Sequence, residues 1–169
     1  AGNALEIAEA FIAHGSSIAL AELTRQLDAI FLEGMRSAAL LPGLADVLPH
    51  LKASGYVLGV ASSDGEASIT TFLKTTGVSE CFAFIAGYDS GYGHKPGPGM
   101  VEGFAKATGI PPALIAVAGD NTHDLEMAAA AGAGLKIGVL SGTGTRADLE
   151  PLADIILPSC AQIPNHLSC

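Results

Sequence analysis

The sequence predicts an α/β protein, with a parallel sheet covered by helices on both faces. From Tyr56 onward, short continuous apolar runs alternate with segments of helical periodicity. Runs of that kind are strands buried on both faces and joined by helical crossovers. Helical segments in this half run into glycines, such as Gly77 and Gly109, which suit helix ends. The chain has 169 residues, 49% of them hydrophobic and 15% charged, enough for a sizeable packed core and unlike a disordered chain.

The elements follow in order. Residues 1–40 are helical in pattern. Leu5, Ala8, Phe11 and Ile12 share one face of a first helix. Leu20, Leu23, Leu27, Ile30 and Phe31 do the same in a second, roughly from Ile18 to Ala38. "GSS" at 15–17 separates them and offers Ser16 or Ser17 as an N-cap. "LPGL" at 41–44 is a break, and a helix over about 44–53 ends at Gly55, a C′ glycine. "YVLGVA" (56–61) reads as a buried strand and "EASITTFLKTTG" (66–77) as a helix. "AFIAG" (83–87) is a second strand, and "GPGMVEGFAKATG" (97–109) a helix with Pro98 in its first turn. "LIAVAG" (114–119) is a third strand, "HDLEMAAAAGA" a helix, "LKIGVL" (135–140) a fourth strand and "DIILP" (154–158) a short fifth. No repeat or low-complexity tract interrupts the pattern.

Net charge is −9, with eight Lys and Arg in all, which argues against a nucleic-acid partner. No apolar run reaches the ~18 residues that span a bilayer, and no basic stretch followed by an apolar core opens the chain. Neither a membrane nor a secretory signal is expected. Cys81, Cys160 and Cys169 are odd in number, widely spaced and without a CxxC pair, so a disulfide framework or structural zinc site is not expected. A cytoplasmic protein fits these features. The chain does not begin with Met, which suggests a processed product, a fragment or an incomplete record. Oligomeric state has no signature here.

In open α/β sheets, ligands bind beyond the carboxyl ends of the strands. Ser62, Ser63 and Asp64 follow the first strand, Lys95 lies in the "YDSGYGHKPGPG" loop after the second, and Asp120, Asn121 and Asp124 follow the third. Two carboxylates as close as Asp120 and Asp124 repel unless something positive lies between them. Ser62 could donate to an anion, with backbone N–H groups at the following helix start. Lys95 could neutralise a phosphate oxygen or a carboxylate. Asp120 could bind Mg²⁺, with Asp124 as a second ligand or as an orienting group. Taken singly, each has a structural alternative: either serine could cap the next helix, a loop lysine is usually solvated and adds little to the core, and Asp120 or Asp124 could serve the helix N-terminus. Jointly, at three successive strand ends, they read as a site. His94 and His123 flank the same rim and are assigned no role. "LSGTGTR" (140–146) matches neither GxxxxGK[ST] nor GxGxxG and reads as a turn.

"VASSD", "HKPGPG" and "VAGDNTHD" occur in the order of motifs in the haloacid dehalogenase superfamily, which the chain resembles over about residues 40–160. "GDNTHDLEMAAAAGAG" followed by "GVLSGTGT" resembles the phosphoglycolate phosphatase-like branch, and β-phosphoglucomutase-like enzymes share these motifs. The resemblance implies a Rossmann-like core over residues 41–169 and part of a helical cap over 1–40. It implies a Mg²⁺-dependent phosphatase acting on a small phosphorylated metabolite. Ser62 and Ser63 would bind phosphate, Lys95 would stabilise charge at the nucleophile and phosphate, and Asp120, supported by Asp124, would hold the metal. The family's nucleophile is the first Asp of a DxDGT motif on the central strand, and its second Asp is the general acid/base. This chain has aspartates at 28, 46, 64, 89, 120, 124, 148 and 154, and no two stand two apart. The nucleophile strand is therefore expected to be absent from these residues, and the chain by itself is not expected to turn over. The alternatives are a non-catalytic phosphate- or metal-binding domain and a mutase or dehalogenase on the same scaffold.

Overall fold

The structure, a computed structural model, describes residues 3–15 and 17–167. Ser16 and Cys169 lie outside the described residues. Helices α1 (Ala4–Ala13) and α2 (Leu20–Ser37) come first, then α3 (Leu44–Ala53). Strand β1 (Leu58–Ala61), α4 (Glu66–Thr75), β2 (Phe82–Ala86) and α5 (Gly99–Thr108) follow. The chain continues through β3 (Ala116–Gly119), α6 (Thr122–Ala130), β4 (Leu135–Val139), α7 (Arg146–Leu149) and β5 (Ile155–Leu157).

Local chemistry explains the helix boundaries. After α3, Gly55 takes φ 88°, Tyr56 N–H donates to Leu51 O and Gly55 N–H to Lys52 O, which satisfies two terminal carbonyls. The same pairing closes α4 at Gly77. The expected cap of α2 does not form. Its N-cap is Ala19 with no side-chain hydrogen bond, so Ser17 plays no such part. The expected helix faces are also only partly buried: α1 buries Ala4 and Ala8 and leaves Phe11 57% exposed, while Ile30 on α2 is 65% exposed.

All strand pairs are parallel, but they form two pieces. β1 pairs with β2, and β3, β4 and β5 form a second sheet in that order. The main core joins the two: Phe84 and Ala86 of β2, Met100 and Val101 of α5, Ile115 and Met127 form one buried cluster. Burying a side chain of the larger kinds here contributes about 1.5–3 kcal/mol. Smaller clusters form around Ile69, Leu73 and Val78, and around Ile137, Val139 and Leu157.

Among the described residues, β1 and β3 each have a strand partner on one side only, and both line a cavity of about 870 Å³. Tyr56 to Ser62 and Asp64 form one wall, Ala116 to Ala118 another, with Leu73, Phe104 and Ile163 among the remainder. Here the expectation of buried first and third strands is corrected. Gly59, Ala116 and Ala118 are exposed, as is Val57, because among the described residues no further strand pairs with the free edges of β1 and β3. No helix among the described residues is long and apolar enough to cross a membrane.

Candidate active site

Because the strands in each sheet are parallel, their carboxyl ends share a rim, and the loops after β1, β2 and β3 carry the polar groups there. Ser62 extends β1 by one hydrogen bond, its N–H donating to Ala86 O at 2.9 Å. Its hydroxyl donates to Asp64 Oδ2 at 2.9 Å and accepts from Asp64 N–H at 3.1 Å. Neither serine caps α4. The N-cap is Gly65, and the Glu66 N–H is taken by Asp89 Oδ1 at 2.8 Å.

Lys95 departs most from its expected setting. Its Nζ donates to Asp124 Oδ1 at 2.6 Å and to Ala61 O at 2.9 Å. Both side chains are 11% exposed, so this is a nearly buried ion pair and not a solvated loop lysine. The ammonium joins the last residue of β1 to the first turn of α6, at the rim end of the cavity. Removing one partner of a buried pair leaves an uncompensated charge, so Lys95 does contribute to the core. Asp124 Oδ2 also accepts Asn121 N–H at 3.1 Å, and Asn121 Oδ1 accepts His123 N–H at 3.1 Å, forming the capping box of α6. Both Asp124 oxygens are thereby engaged. A Cβ on Gly119 would lie 2.2 Å from Asp124 Cβ, so a glycine there lets the carboxylate lie against the strand end.

Asp120 does not cap α6; Asn121 does. Its Oδ2 accepts Thr143 N–H at 2.7 Å and the Thr143 hydroxyl at 3.1 Å, and its main-chain O accepts Gly144 N–H at 2.9 Å. No hydrogen bond engages Oδ1 among the described residues. "LSGTGTR" is thus more than a turn: it clasps Asp120. The signal was present in two glycines flanking one threonine. A Cβ on Gly142 would lie 2.0 Å from Asp120 Oδ2, and one on Gly144 2.3 Å from Asp120 O.

These donors fit Mg²⁺. A hard cation that keeps several waters needs one or two carboxylates and leaves room for phosphate oxygens. Asp120 offers one uncommitted oxygen, and no group of three or more His, Cys, Asp or Glu that could hold a metal stands among the described residues. Cys160 also lines the cavity; burial and then the Asp120 carboxylate push its thiol up, so it stays protonated.

Helices α1 and α2 come down beside this rim. Tyr88 OH donates to Asp28 Oδ2 of α2 at 2.8 Å, and burial first, then Asp28, push the phenol well above its ordinary value. The Tyr88 and His94 rings stack with centroids 6.3 Å apart, and His94 Nδ1 lies 3.5 Å from Asn3 Nδ2. Asn3, Glu6, Ser63, His94, Lys95 and His123 border one small crevice. The two histidines, given no role from sequence, thus sit beside Ser63 and Lys95.

A profile of the haloacid dehalogenase-like hydrolase family matches residues 4–137. A curated protein of Dickeya dadantii (strain 3937), "Probable phosphatase IndB", is 36% identical over 129 residues, covering 75% of this chain and 56% of that protein. The chain therefore spans little more than half the length of this relative. Crystalline CbbY from Rhodobacter sphaeroides, in complex with phosphate, superposes with a TM-score of 0.84 at 24% identity, over 96% of this chain and 76% of that one. A predicted phosphoglycolate phosphatase from Haemophilus somnus 129PT gives a TM-score of 0.78 at 24% identity, over 87% and 66%. At these identities the two structures show a shared fold.

Proposed function

Because the chain belongs to the haloacid dehalogenase-like hydrolase family, we propose that it is the phosphate- and Mg²⁺-binding part of a phosphoric monoester hydrolase. Residues 1–40 form part of a helical cap and residues 41–169 the core. A strand of the same polypeptide, outside these residues, fills the cavity between β1 and β3 and brings the nucleophilic aspartate to the rim. The observation that carries this reading is Lys95: its ammonium stands at the end of that cavity, between Ala61 O and Asp124.

Each residue then has a task. Lys95 neutralises charge on the incoming carboxylate and on the phosphoryl group, and Asp124 holds Lys95 in place. Ser62 turns its hydroxyl from Asp64 to a phosphate oxygen, with Ser63 beside it. Asp120 would hold Mg²⁺ with its uncommitted Oδ1; the ion, when bound, would screen the phosphate and polarise its oxygens. Phosphoryl transfer to the aspartate releases the alcohol, and water then attacks phosphorus, returning the carboxylate and inorganic phosphate. Similarity to a probable phosphatase and to a predicted phosphoglycolate phosphatase supports a small phosphomonoester as substrate, of which phosphoglycolate is one candidate. A cytoplasmic setting suits such a substrate.

The test is a phosphate-release assay of the full-length protein on phosphoglycolate and other small phosphomonoesters, with and without EDTA. Release is expected to require Mg²⁺. Asp120→Asn is expected to lower it about 100-fold or more, equivalent to ~3 kcal/mol of lost transition-state stabilisation. Undiminished release in EDTA overturns the metal assignment. Phosphate binding without release, or transfer to a second sugar-phosphate hydroxyl, identifies a binding domain or a mutase instead.

A further inference from the structure

We infer that Thr143 is the positioning residue for the Asp120 carboxylate, and that the loop carrying it sets the affinity of the cation site. This rests on the proposed role of Asp120 as the Mg²⁺ ligand. A carboxylate on a loop can rotate about its Cβ–Cγ bond and offer a cation either oxygen, or both. Here that freedom is removed. Oδ2 takes two hydrogen bonds from one residue, 2.7 Å from the Thr143 N–H and 3.1 Å from its hydroxyl. The peptide on the other side is tied as well, through Gly144 N–H to Asp120 O at 2.9 Å. With Oδ2 committed, Oδ1 is left for the cation.

The loop's composition matches this task. Its approach to Asp120 is too close for a side chain on either side of Thr143: a Cβ at 142 would stand 2.0 Å from Oδ2, and one at 144 would stand 2.3 Å from the main-chain oxygen. Thr143 itself is exposed, and the hydrogen bonds of both its side chain and its N–H go to Asp120. Its contribution is thus directed at the carboxylate and not at the core. Partners that orient metal ligands typically change metal affinity by about 10–100-fold when removed. Thr143→Val keeps the backbone N–H and deletes the hydroxyl, so the lower end of that range applies.

Mn²⁺ serves as the probe, with free and bound ion counted by EPR on the full-length protein. Thr143→Val is expected to weaken Mn²⁺ binding about 10-fold, while Thr143→Ser, which restores the hydroxyl, stays within about 2-fold of the unsubstituted protein. Melting temperatures in the absence of metal should agree among all three. Asp120→Asn, measured in parallel, separates the two levels of the argument. If Asp120→Asn loses binding but Thr143→Val binds as tightly as the unsubstituted protein, the role of Thr143 is overturned and that of Asp120 stands. If Thr143→Ser is as weak as Thr143→Val, the hydroxyl is not the cause and the inference also falls. If Asp120→Asn binds Mn²⁺ undiminished, the ligand assignment falls and takes the positioning role with it.

Discussion

Supplying a strand to the cavity between β1 and β3 is expected to convert residues 1–169 from a loosely packed chain into a cooperative fold. Empty cavities in protein cores destabilise by ~24 cal/mol per Å³, so one of about 870 Å³ held open and dry would cost about 21 kcal/mol. Whole domains are stable by only about 5–15 kcal/mol. Water entering from the open side relieves part of that cost, but it meets walls built from Leu73, Phe104, Val117 and Ile163. The backbone along the facing edges is partly open to water, and each group there that closure of the cavity would bury unpaired adds roughly 1–3 kcal/mol. The chain alone is therefore expected to draw β1 and β3 together or to expose apolar surface. A peptide of about six apolar residues ending in aspartate should add as a parallel strand, pairing both edges at once and placing its carboxylate near Lys95. Urea unfolding, size exclusion and ANS fluorescence read the outcome. Alone, residues 1–169 should bind ANS and unfold broadly; with the peptide, ANS binding should fall and the transition sharpen. A monomeric 1–169 that unfolds cooperatively, binds no ANS and ignores the peptide would refute the reasoning.

Three further outcomes are expected of the full-length protein. Lys95→Met leaves the Asp124 carboxylate and Ala61 O without their shared donor, and should cost about 3 kcal/mol, or ~6–12 °C in Tm; a change under ~2 °C in thermal unfolding would show the pair to be dispensable. Gly119→Ala presses a methyl group against Asp124 Cβ and should destabilise by about 1–3 kcal/mol in urea unfolding, whereas the same change at the open Gly34 should not. Tyr88 has its folded pKa raised above the unfolded value, so the native state holds more protons than the unfolded one in alkali. Its contribution to stability is complete below about pH 10 and is lost as pH rises beyond it. Tyr88→Phe should make the alkaline fall in stability shallower, and an unchanged pH profile would remove the Tyr88–Asp28 contact from the account.

Sequence alone determined the elements and the rim. The apolar runs at 83–87 and 135–140 are strands, and Gly55 and Gly77 close helices, because strand periodicity and helix-end chemistry are settled by residues a few positions apart. The rule that ligands gather at the carboxyl ends of parallel strands was enough to bring Ser62, Lys95 and Asp120 to one edge. Family motifs added the expectation of a missing strand. Tertiary structure decided what each group touches. Lys95 and Asp124 stand 29 positions apart, and Thr143 and Asp120 stand 23 apart. No local pattern distinguishes a lysine buried in an ion pair from one in solvent, or a loop that clasps a carboxylate from a plain turn. Likewise "YVLGVA" states that a strand prefers burial but not what will bury it. An apolar side chain records its preference for leaving water, which is non-directional; the partner is chosen only when the whole chain has found its packing.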